Sequence, residues 1–532
     1  MQAECVARVQ ERVRIMKNQT PTYGNSVEAQ MPQGPEIPQQ TRLPMGWRRP
    51  VRRVAQDVIP SWLTKRAIVV YILALGVVTI MYRTYCLPWY YMLSGVVSVL
   101  VFFIYGSNAA KRLAVERTGE KRFEKRVFLM AFIPRLIWTI LIYHLFMEYY
   151  GDAFGFENAD AVYYDDLGQF VAGLIGEGNF HFYNEISNWS GSDDIADMGY
   201  GIYVGFIYWL TRNSIMVVRL VKCVLSSLTV VLLYRLAKRN FNKQTARIAA
   251  IFCALWPNFW YYCGAHLKEV EMVFLAVLFV EQADQMLRSR QFTAWKVIPV
   301  LLIAAIIFTV RTPLGLVALL ALLFSIVMSS QRVVSWGKRI IVGVIALALI
   351  GVVAGNRLGE KAQSLLEQVQ SGNQDTANNW RTRRVNGNAF AKYAGSAVFA
   401  PMILTIPFPT MVRPFDGQNV QQLLNGGNFI KNIISIFTLL TLVMLLMSGK
   451  WRDHMLPLSF VIGYLVVLVF SAFAHSERFH QPIMPFEMMF AAFGISIVMN
   501  DRRYKRWFIY WCILMFVAAI AWNWFKLKGR GL

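Results

Sequence analysis

The residues with the clearest capacity for chemistry are the acids of one stretch, Tyr149 to Tyr200, which contains no lysine or arginine. A carboxylate next to a substrate hydroxyl can act as a general base. The densest part reads NADAVYYDD and places Asp160, Asp165 and Asp166 among tyrosines. We predict that one of these three is the base. The remaining acids of the stretch are interpreted as solvated loop residues or left unassigned: Asp152, Glu157, Glu177, Glu185, Asp193, Asp194 and Asp197.

Single basic residues at the ends of apolar runs form a second candidate set. They are Arg83, Arg212, Lys268, Arg311 and Arg478. Each of them alone is explained by a side chain that reaches from the membrane to lipid phosphates. As a group on the same predicted membrane face as the acidic stretch, they have the chemistry of phosphate ligands.

The elements that must position these residues are long apolar segments. Apolar residues make up 56% of the 532 residues, and the mean hydropathy is +0.40. Continuous apolar runs of roughly 17–25 residues indicate helices that cross a bilayer. The sequence therefore predicts an all-α polytopic membrane protein with about 13 spans, near residues 67–82, 88–105, 127–148, 214–236, 244–261, 269–286, 294–310, 313–330, 339–355, 428–448, 455–474, 482–500 and 507–524.

The distribution of charge predicts the orientation. Basic residues concentrate in loops near residues 106–126, 235–247, 288–296, 332–339, 450–452 and 502–506, which are therefore predicted to be cytoplasmic. The N-terminus is then inside, the C-terminus outside, and the acidic loop 149–213 faces outward. The net charge of +23 follows from these loops rather than from nucleic-acid binding.

The chain divides into five predicted parts. They are a disordered cytoplasmic tail (1–46), a basic interfacial helix (47–66), an N-terminal transmembrane module (67–355), an outer loop (356–427) and C-terminal transmembrane helices (428–532). Within the outer loop, Ala397 to Pro409 is apolar but too short to span, which predicts a re-entrant or interfacial segment. Within the acidic loop, Leu167, Phe170, Val171 and Leu174 have the period of a half-buried surface helix, and a second surface helix is predicted from Gly199 to about Leu210.

The order of these pieces resembles a known superfamily. A span, an acidic loop with the pattern Asp-Ala-x-x-Tyr, the segment GYGIYVGFIYWLTRNSIMVVRL and the segment LYRLAKRNFNKQTARIAAIFCALWPNFWYYCGAHLKE are similar to the GT-C membrane glycosyltransferases. These include bacterial relatives of the protein mannosyltransferases and of the aminoarabinose transferase. The late motif SERFHQPIMPFEMMFAAFGI also resembles their terminal helices. The chain departs from many members by its N-terminal span pair and tail.

The resemblance implies a donor sugar carried on a polyprenyl phosphate and a hydroxyl acceptor. It assigns the role of catalytic aspartate to Asp160 first, with Asp165 and Asp166 as alternatives. It assigns donor-phosphate binding to Lys268 and Arg311, and Arg478 resembles the basic residue before the closing Pro-x-x-Pro segment. Further predicted substrate contacts are Tyr163, Tyr164, His266, Glu269, Arg381, Arg383, Arg384 and His480. The implied location is a bacterial inner membrane with a periplasmic active site.

Three questions stay open at the level of sequence. Carboxylates with His181, His266, His475 or His480 could ligate a divalent cation such as Mg²⁺ or Mn²⁺, but no ligand spacing singles out a site. A glycan polymerase or O-antigen-ligase-like enzyme would use a polyprenyl-linked oligosaccharide and rely on the arginines of the late loop. A transporter would keep ionisable residues near the bilayer midplane, where Arg135 is the main candidate.

Overall fold

The computed structural model describes residues 59–115, 119–191, 195–196, 198–289, 294–335, 337, 344, 402–413, 419–470, 476–499 and 503–528. All of them belong to the compact unit Val51–Leu532. The helices are α1 (Ser61–Met81), α2 (Trp89–Leu100), α3 (Gly106–Val115), α4 (Glu120–Tyr150), α5 (Asn158–Gly176), α6 (Phe182–Ser190), α7 (Met198–Thr211), α8 (Ile215–Asn240), α9 (Lys243–Leu255), α10 (Pro257–Gly264), α11 (Glu269–Arg288), α12 (Ala294–Val310), α13 (Thr312–Met328), α14 (Asn419–Leu423), α15 (Asn425–Met447), α16 (Met455–Phe470), α17 (Glu477–His480), α18 (Met484–Val498) and α19 (Arg503–Lys528).

The predicted class, an all-α polytopic membrane protein, is confirmed. Within the described residues, 8 helical segments are long and apolar enough to cross a membrane. They are Ser61–Met81, Trp89–Arg112, Glu120–Tyr150, Ile215–Asn240, Asn425–Met447, Lys450–Val469, Glu477–Val498 and Arg503–Lys528. Trp295–Val310 and Thr312–Met328 are shorter apolar helices. The span predicted at 339–355 falls on residues that, apart from 344, lie outside the described ranges.

Two predicted boundaries differ from the structure. Residues 61–66, assigned to an interfacial helix, are the first turns of α1 and continue into the first span without a break. The span predicted at 244–261 is two helices, because α9 ends at Leu255 and α10 begins at Pro257. Proline has no amide hydrogen for the helix ladder and pushes the residue before it into extended conformation. Trp256, at φ −68° and ψ 116°, has that conformation.

Arg135, the arginine near the middle of α4, stabilises this break. Its side chain is fully buried, and its Nη atoms donate to the carbonyls of Cys253 and Ala254, each at 3.0 Å. The carbonyl of Cys253 is the one that loses its helical partner, since Pro257 has no N–H. Arg135 Nε also donates to Ser226 in α8 at 2.9 Å. The midspan arginine therefore satisfies backbone carbonyls at the break between α9 and α10. This structural role accounts for the main sequence feature that favoured a transporter.

Helix α8 lies at the centre of the N-terminal module and packs against α4, α9 and α11. On the C-terminal side, α15 packs against α18, and α13 packs against α16. The segment 402–413 lies within the helices rather than along their outer surface. Lys431 donates to the carbonyl of Ile406 at 2.7 Å, and Asn523 donates to that of Pro409 at 3.0 Å. Such irregular backbone is tolerated at depth only where protein groups satisfy it.

Ion pairs tie the helices together at the end opposite to the acidic loop. Arg239 in α8 bonds to Glu281 at 2.8 Å and to Asp284 at 3.0 Å, and both acids of α11 are buried. Asp284 also accepts from Arg288 at 2.8 Å. This end belongs to the predicted cytoplasmic loops, and its buried acids are each paired with arginine.

Candidate active site

Two surface helices carry the acidic residues and pack closely on each other. A Cβ atom added at Gly201 of α7 would lie 2.4 Å from the Leu167 side chain of α5, so only glycine permits this approach. Asp165 fixes the pair further, because its two oxygens accept bonds from Tyr208 of α7 and, at 2.7 Å, from Gln169. Asp165 is buried and fully engaged. Asp160, in the first turn of α5, keeps a side chain that is 53% exposed.

The turn before α11 presents a lysine and a glutamate side by side. Lys222, fully buried in α8, donates to the carbonyl of Ala265 at 2.9 Å and to that of Leu267. This cation holds the turn in a fixed shape, so that Lys268 and Glu269 emerge at the start of α11. Burying an ammonium is costly unless it is well bonded, which the two carbonyls achieve.

Lys268 lies directly against the acidic helix. Its Nζ atom is 5.7 Å from the centre of the Tyr164 ring in α5 and donates to the carbonyl of Val310 at 3.0 Å. Arg311 follows Val310 in the chain and occupies the N-cap position of α13. Its guanidinium lies 4.7 Å above the ring of Phe479, in α17. The three elements α11, α13 and α17 thus bring their basic residues to the Asp160 end of α5.

Arg478 connects the two acids of the site. Its Nη1 atom bonds to Asp160 Oδ2 at 2.5 Å, and its Nε donates to Glu269 Oε1. The guanidinium is therefore shared between an exposed carboxylate and a buried one. Charge-assisted bonds of this kind fix both direction and distance. Arg83 and Arg212, the other members of the basic set, are exposed, and neither makes a described contact with this cluster.

The cluster contains three cations and two anions, and burial together with these charges shifts the pKa of Lys268 and of the neighbouring Tyr164. Burial, reinforced by the Arg311 guanidinium, lowers the pKa of Lys268 to about 7, while Glu269 opposes this shift. Burial, with the Glu269 carboxylate, raises the pKa of Tyr164. The Tyr164 phenol therefore stays neutral, whereas Lys268 gains or loses its proton near neutral pH.

The other predicted contacts lie around this cluster or away from it. Asp166 is exposed, and Tyr163, 39% exposed, contacts the ring of Trp189 at 5.8 Å. His266 is buried beside Tyr208, at 6.3 Å between ring centres, and burial lowers its pKa well below the usual value. His480 is buried, with Nδ1 2.8 Å from Lys431 Nζ.

Several predicted residues lie outside the described ranges: Arg381, Arg383, Arg384, His475, Asp193, Asp194 and Asp197. His181 is exposed. In the part of the chain that the structure describes, no three His, Cys, Asp or Glu side chains gather in a group that could hold a metal ion.

Sequence reasoning missed two structural roles. Lys222 is not among the predicted site residues, yet its ammonium donates to the carbonyls of Ala265 and Leu267 in the turn before Lys268. Glu269, a predicted substrate contact, is buried, and its carboxylate is bonded to Arg478. A lysine inside an apolar helix is itself a signal, because such a residue needs a partner of its own.

Two family models match separate parts of the chain. One, described as dolichyl-phosphate-mannose-protein mannosyltransferase, matches residues 201–355, and the other, the Alg9-like mannosyltransferase family, matches residues 426–529. Lys268, Glu269 and Arg311 fall in the first match and Arg478 in the second, whereas Asp160 precedes both. No curated protein and no solved structure matches the chain. The two matches indicate a polytopic glycosyltransferase of the GT-C type, which confirms the predicted class.

Proposed function

We propose that this protein transfers a single sugar from a polyprenyl-phosphate donor to a hydroxyl of a lipid-linked, glycan or protein acceptor. Asp160 is the general base, and Lys268, Arg311 and Arg478 bind the donor phosphate. The observation that carries the proposal is the contact of Arg478 with Asp160 beside the Lys268–Glu269 turn. We place this end of the bundle at the periplasmic face of a bacterial inner membrane, since basic loops mark the opposite face.

The charges of the cluster suit this reaction. The acceptor oxygen attacks the anomeric carbon and gives its proton to Asp160, while the bond from that carbon to the phosphate oxygen breaks. The donor phosphodiester carries one negative charge, and the released polyprenyl phosphate carries nearly two. The new charge on the phosphate appears as Asp160 becomes neutral, so the total charge of the site stays constant. The three cations then stabilise the leaving phosphate where its charge develops.

Asp160 is the preferred base among the three candidates. Its side chain is half exposed and contacts only one cation among the described bonds, so an acceptor can approach it. Both oxygens of Asp165 are occupied by Tyr208 and Gln169. Asp166 is exposed and makes no described bond to Lys268, Arg311 or Arg478. Both matched families are mannosyltransferases, which supports polyprenyl-phosphate mannose as the first donor to test.

The test is release of polyprenyl phosphate by purified protein incubated with a panel of polyprenyl-phosphate sugars and hydroxyl acceptors. The variant Asp160→Asn is expected to slow transfer by about 10²–10⁴-fold, the usual contribution of a general base. Glu177→Gln, an exposed acid just beyond the other end of α5, is the matched control and should keep full activity. Full activity of Asp160→Asn would overturn the assignment, and loss of activity in Asp166→Asn alone would move the base there.

The alternative functions give different results in the same assay. A polymerase or ligase would consume a lipid-linked oligosaccharide but no single-sugar donor, and Arg383→Ala or Arg384→Ala would impair it more than Asp160→Asn. A transporter would move a labelled solute into liposomes without consuming any lipid-linked sugar. Either result would refute the proposal.

A further inference from the structure

Glu269 lies behind the proposed site rather than at its opening. Its side chain is 2% exposed, compared with 53% for Asp160. Arg478 holds the two acids with different nitrogens, Nε for Glu269 and Nη1 for Asp160. A substrate can therefore replace the contact with Asp160, whereas the contact with Glu269 is shielded from it.

A small cavity with mainly apolar walls has Glu269 and Gln481 among its lining residues. Its other polar lining residues are Ser226, Thr229 and Tyr262. Glu269 Oε2 and Gln481 Oε1 have no hydrogen-bond partner among the described residues. The Gln481 amide nitrogen donates to the carbonyl of Glu477 at 2.8 Å, which leaves its oxygen for the cavity. The cavity, about 10 Å³, has room for about one water molecule, which can donate an O–H to each of the two oxygens.

We propose that Glu269 is a positioning residue for the transfer: a water in this cavity fixes its carboxylate, and the carboxylate fixes Nε of Arg478, so that Arg478 can exchange Asp160 for the donor phosphate. This inference rests on the proposed function. A planar guanidinium bonded at Nε keeps its plane while its outer nitrogens change partner. Arg478 thus binds the phosphate and releases the base in one movement.

The geometry explains why a second acid is needed so close to a phosphate site. Without Glu269, Arg478 loses the buried one of these two carboxylates and keeps the exposed Asp160. Donor binding would then have to break that pair without any fixed contact to guide the arginine. An exposed ion pair is weak on its own, so the buried partner decides the orientation of Arg478.

The test compares Glu269→Gln, Glu269→Asp and Gln481→Met in the transfer assay and in a binding assay with the donor alone. We expect Glu269→Gln to raise the donor KM by about tenfold or more, since it loses a charge-assisted bond. Glu269→Asp, which keeps the charge, should recover part of this loss. Gln481→Met removes one of the two acceptors of the water and should raise the donor KM. The thermal stability of this variant should stay within the range measured for the two Glu269 variants.

Two further measurements separate positioning from a general structural role. In a double-mutant cycle, Glu269→Gln and Arg478→Lys should not be additive, because the first acts through the second. Glu269→Gln should also move the alkaline limit of donor binding to lower pH. The reason is that the Glu269 carboxylate favours the charged form of Lys268, so its removal lets the lysine lose its proton at a lower pH. The charged and titratable groups around Lys268 are Arg311, Arg478, Asp160, Tyr164 and Glu269.

A donor KM within twofold of the wild type in Glu269→Gln, or additive effects in the cycle, would overturn this inference. If Asp160→Asn is inactive while Glu269→Gln behaves as the wild type, the proposed function stands and only the positioning role fails. Full activity of Asp160→Asn overturns the proposed function itself, whatever the result at Glu269.

Discussion

The Lys268 ammonium gives donor binding a definite dependence on pH. Burial and the neighbouring Arg311 lower its pKa to about 7 in the protein without donor, so the lysine loses its proton as the pH rises through that value. A bound phosphodiester adds a negative charge beside it and favours the protonated form. Binding above pH 7 therefore takes up a proton, and the donor affinity must fall as the pH rises.

The size of the effect follows from the two protonation states. If the donor binds the protonated site alone, each pH unit above the pKa weakens binding about tenfold, or ~1.4 kcal/mol. Between pH 6.5 and pH 8.5 the Kd is then expected to rise about 25-fold. The donor is a phosphodiester and has no titration of its own in this range, so the slope reports the protein.

The assay is equilibrium binding of the donor to purified wild-type protein without acceptor, across this pH range. Lys268→Arg is the matched control, because its guanidinium stays charged and should give a nearly flat curve. A flat curve for the wild type would show that the protonation of Lys268 does not govern donor binding. An equally steep curve for Lys268→Arg would assign the titration to another group, and either result would refute the reasoning.

Three further predictions concern stability, measured by thermal unfolding of the purified protein. Gly201→Ala places a methyl group against the facing helix and should destabilise by about 1–3 kcal/mol, whereas Gly173→Ala, which meets open space, should be neutral or stabilising. Arg239→Met leaves two buried acids without that partner and should cost about 3–5 kcal/mol. Arg235→Met removes an exposed pair and should cost less than about 1 kcal/mol. Arg135→Met leaves the Cys253 carbonyl unpaired, while that of Ala254 keeps the indole N–H of Trp260, and should cost about 1–3 kcal/mol.

Much of the helical architecture could be predicted because hydropathy is a local property. Most predicted spans coincide with observed helices, and the surface helix predicted from Gly199 to about Leu210 is Met198–Thr211. The exception at 244–261 carried its own signal in Pro257, since a proline in an apolar run marks a break. The partner of Arg135 could not be predicted in this way, because the carbonyl that it bonds lies in a different helix.

The composition of the candidate site was predictable, but its connections were not. Asp160, Asp165 and Asp166 are equivalent in sequence: three acids within seven positions of one amphipathic segment. Their separation into an exposed acid at Arg478, a buried acid bonded to Tyr208 and a solvated acid depends on which helix each one faces. A rotation of that helix by about 100°, the angle between successive residues, would exchange the faces of Asp165 and Asp166.

The sequence by itself determined that the chain is a helical membrane protein similar to the GT-C glycosyltransferases, with its acids and isolated cations at the ends of apolar segments. Hydropathy and the positions of charges along the chain depend only on residues that are close in sequence, so they are the same for any arrangement of the helices. Only the tertiary structure decided that Arg478 meets Asp160 across 318 positions of sequence and that Glu269 holds it from behind. Such pairs form because packing brings distant helix ends within bonding distance, and no local pattern records that distance.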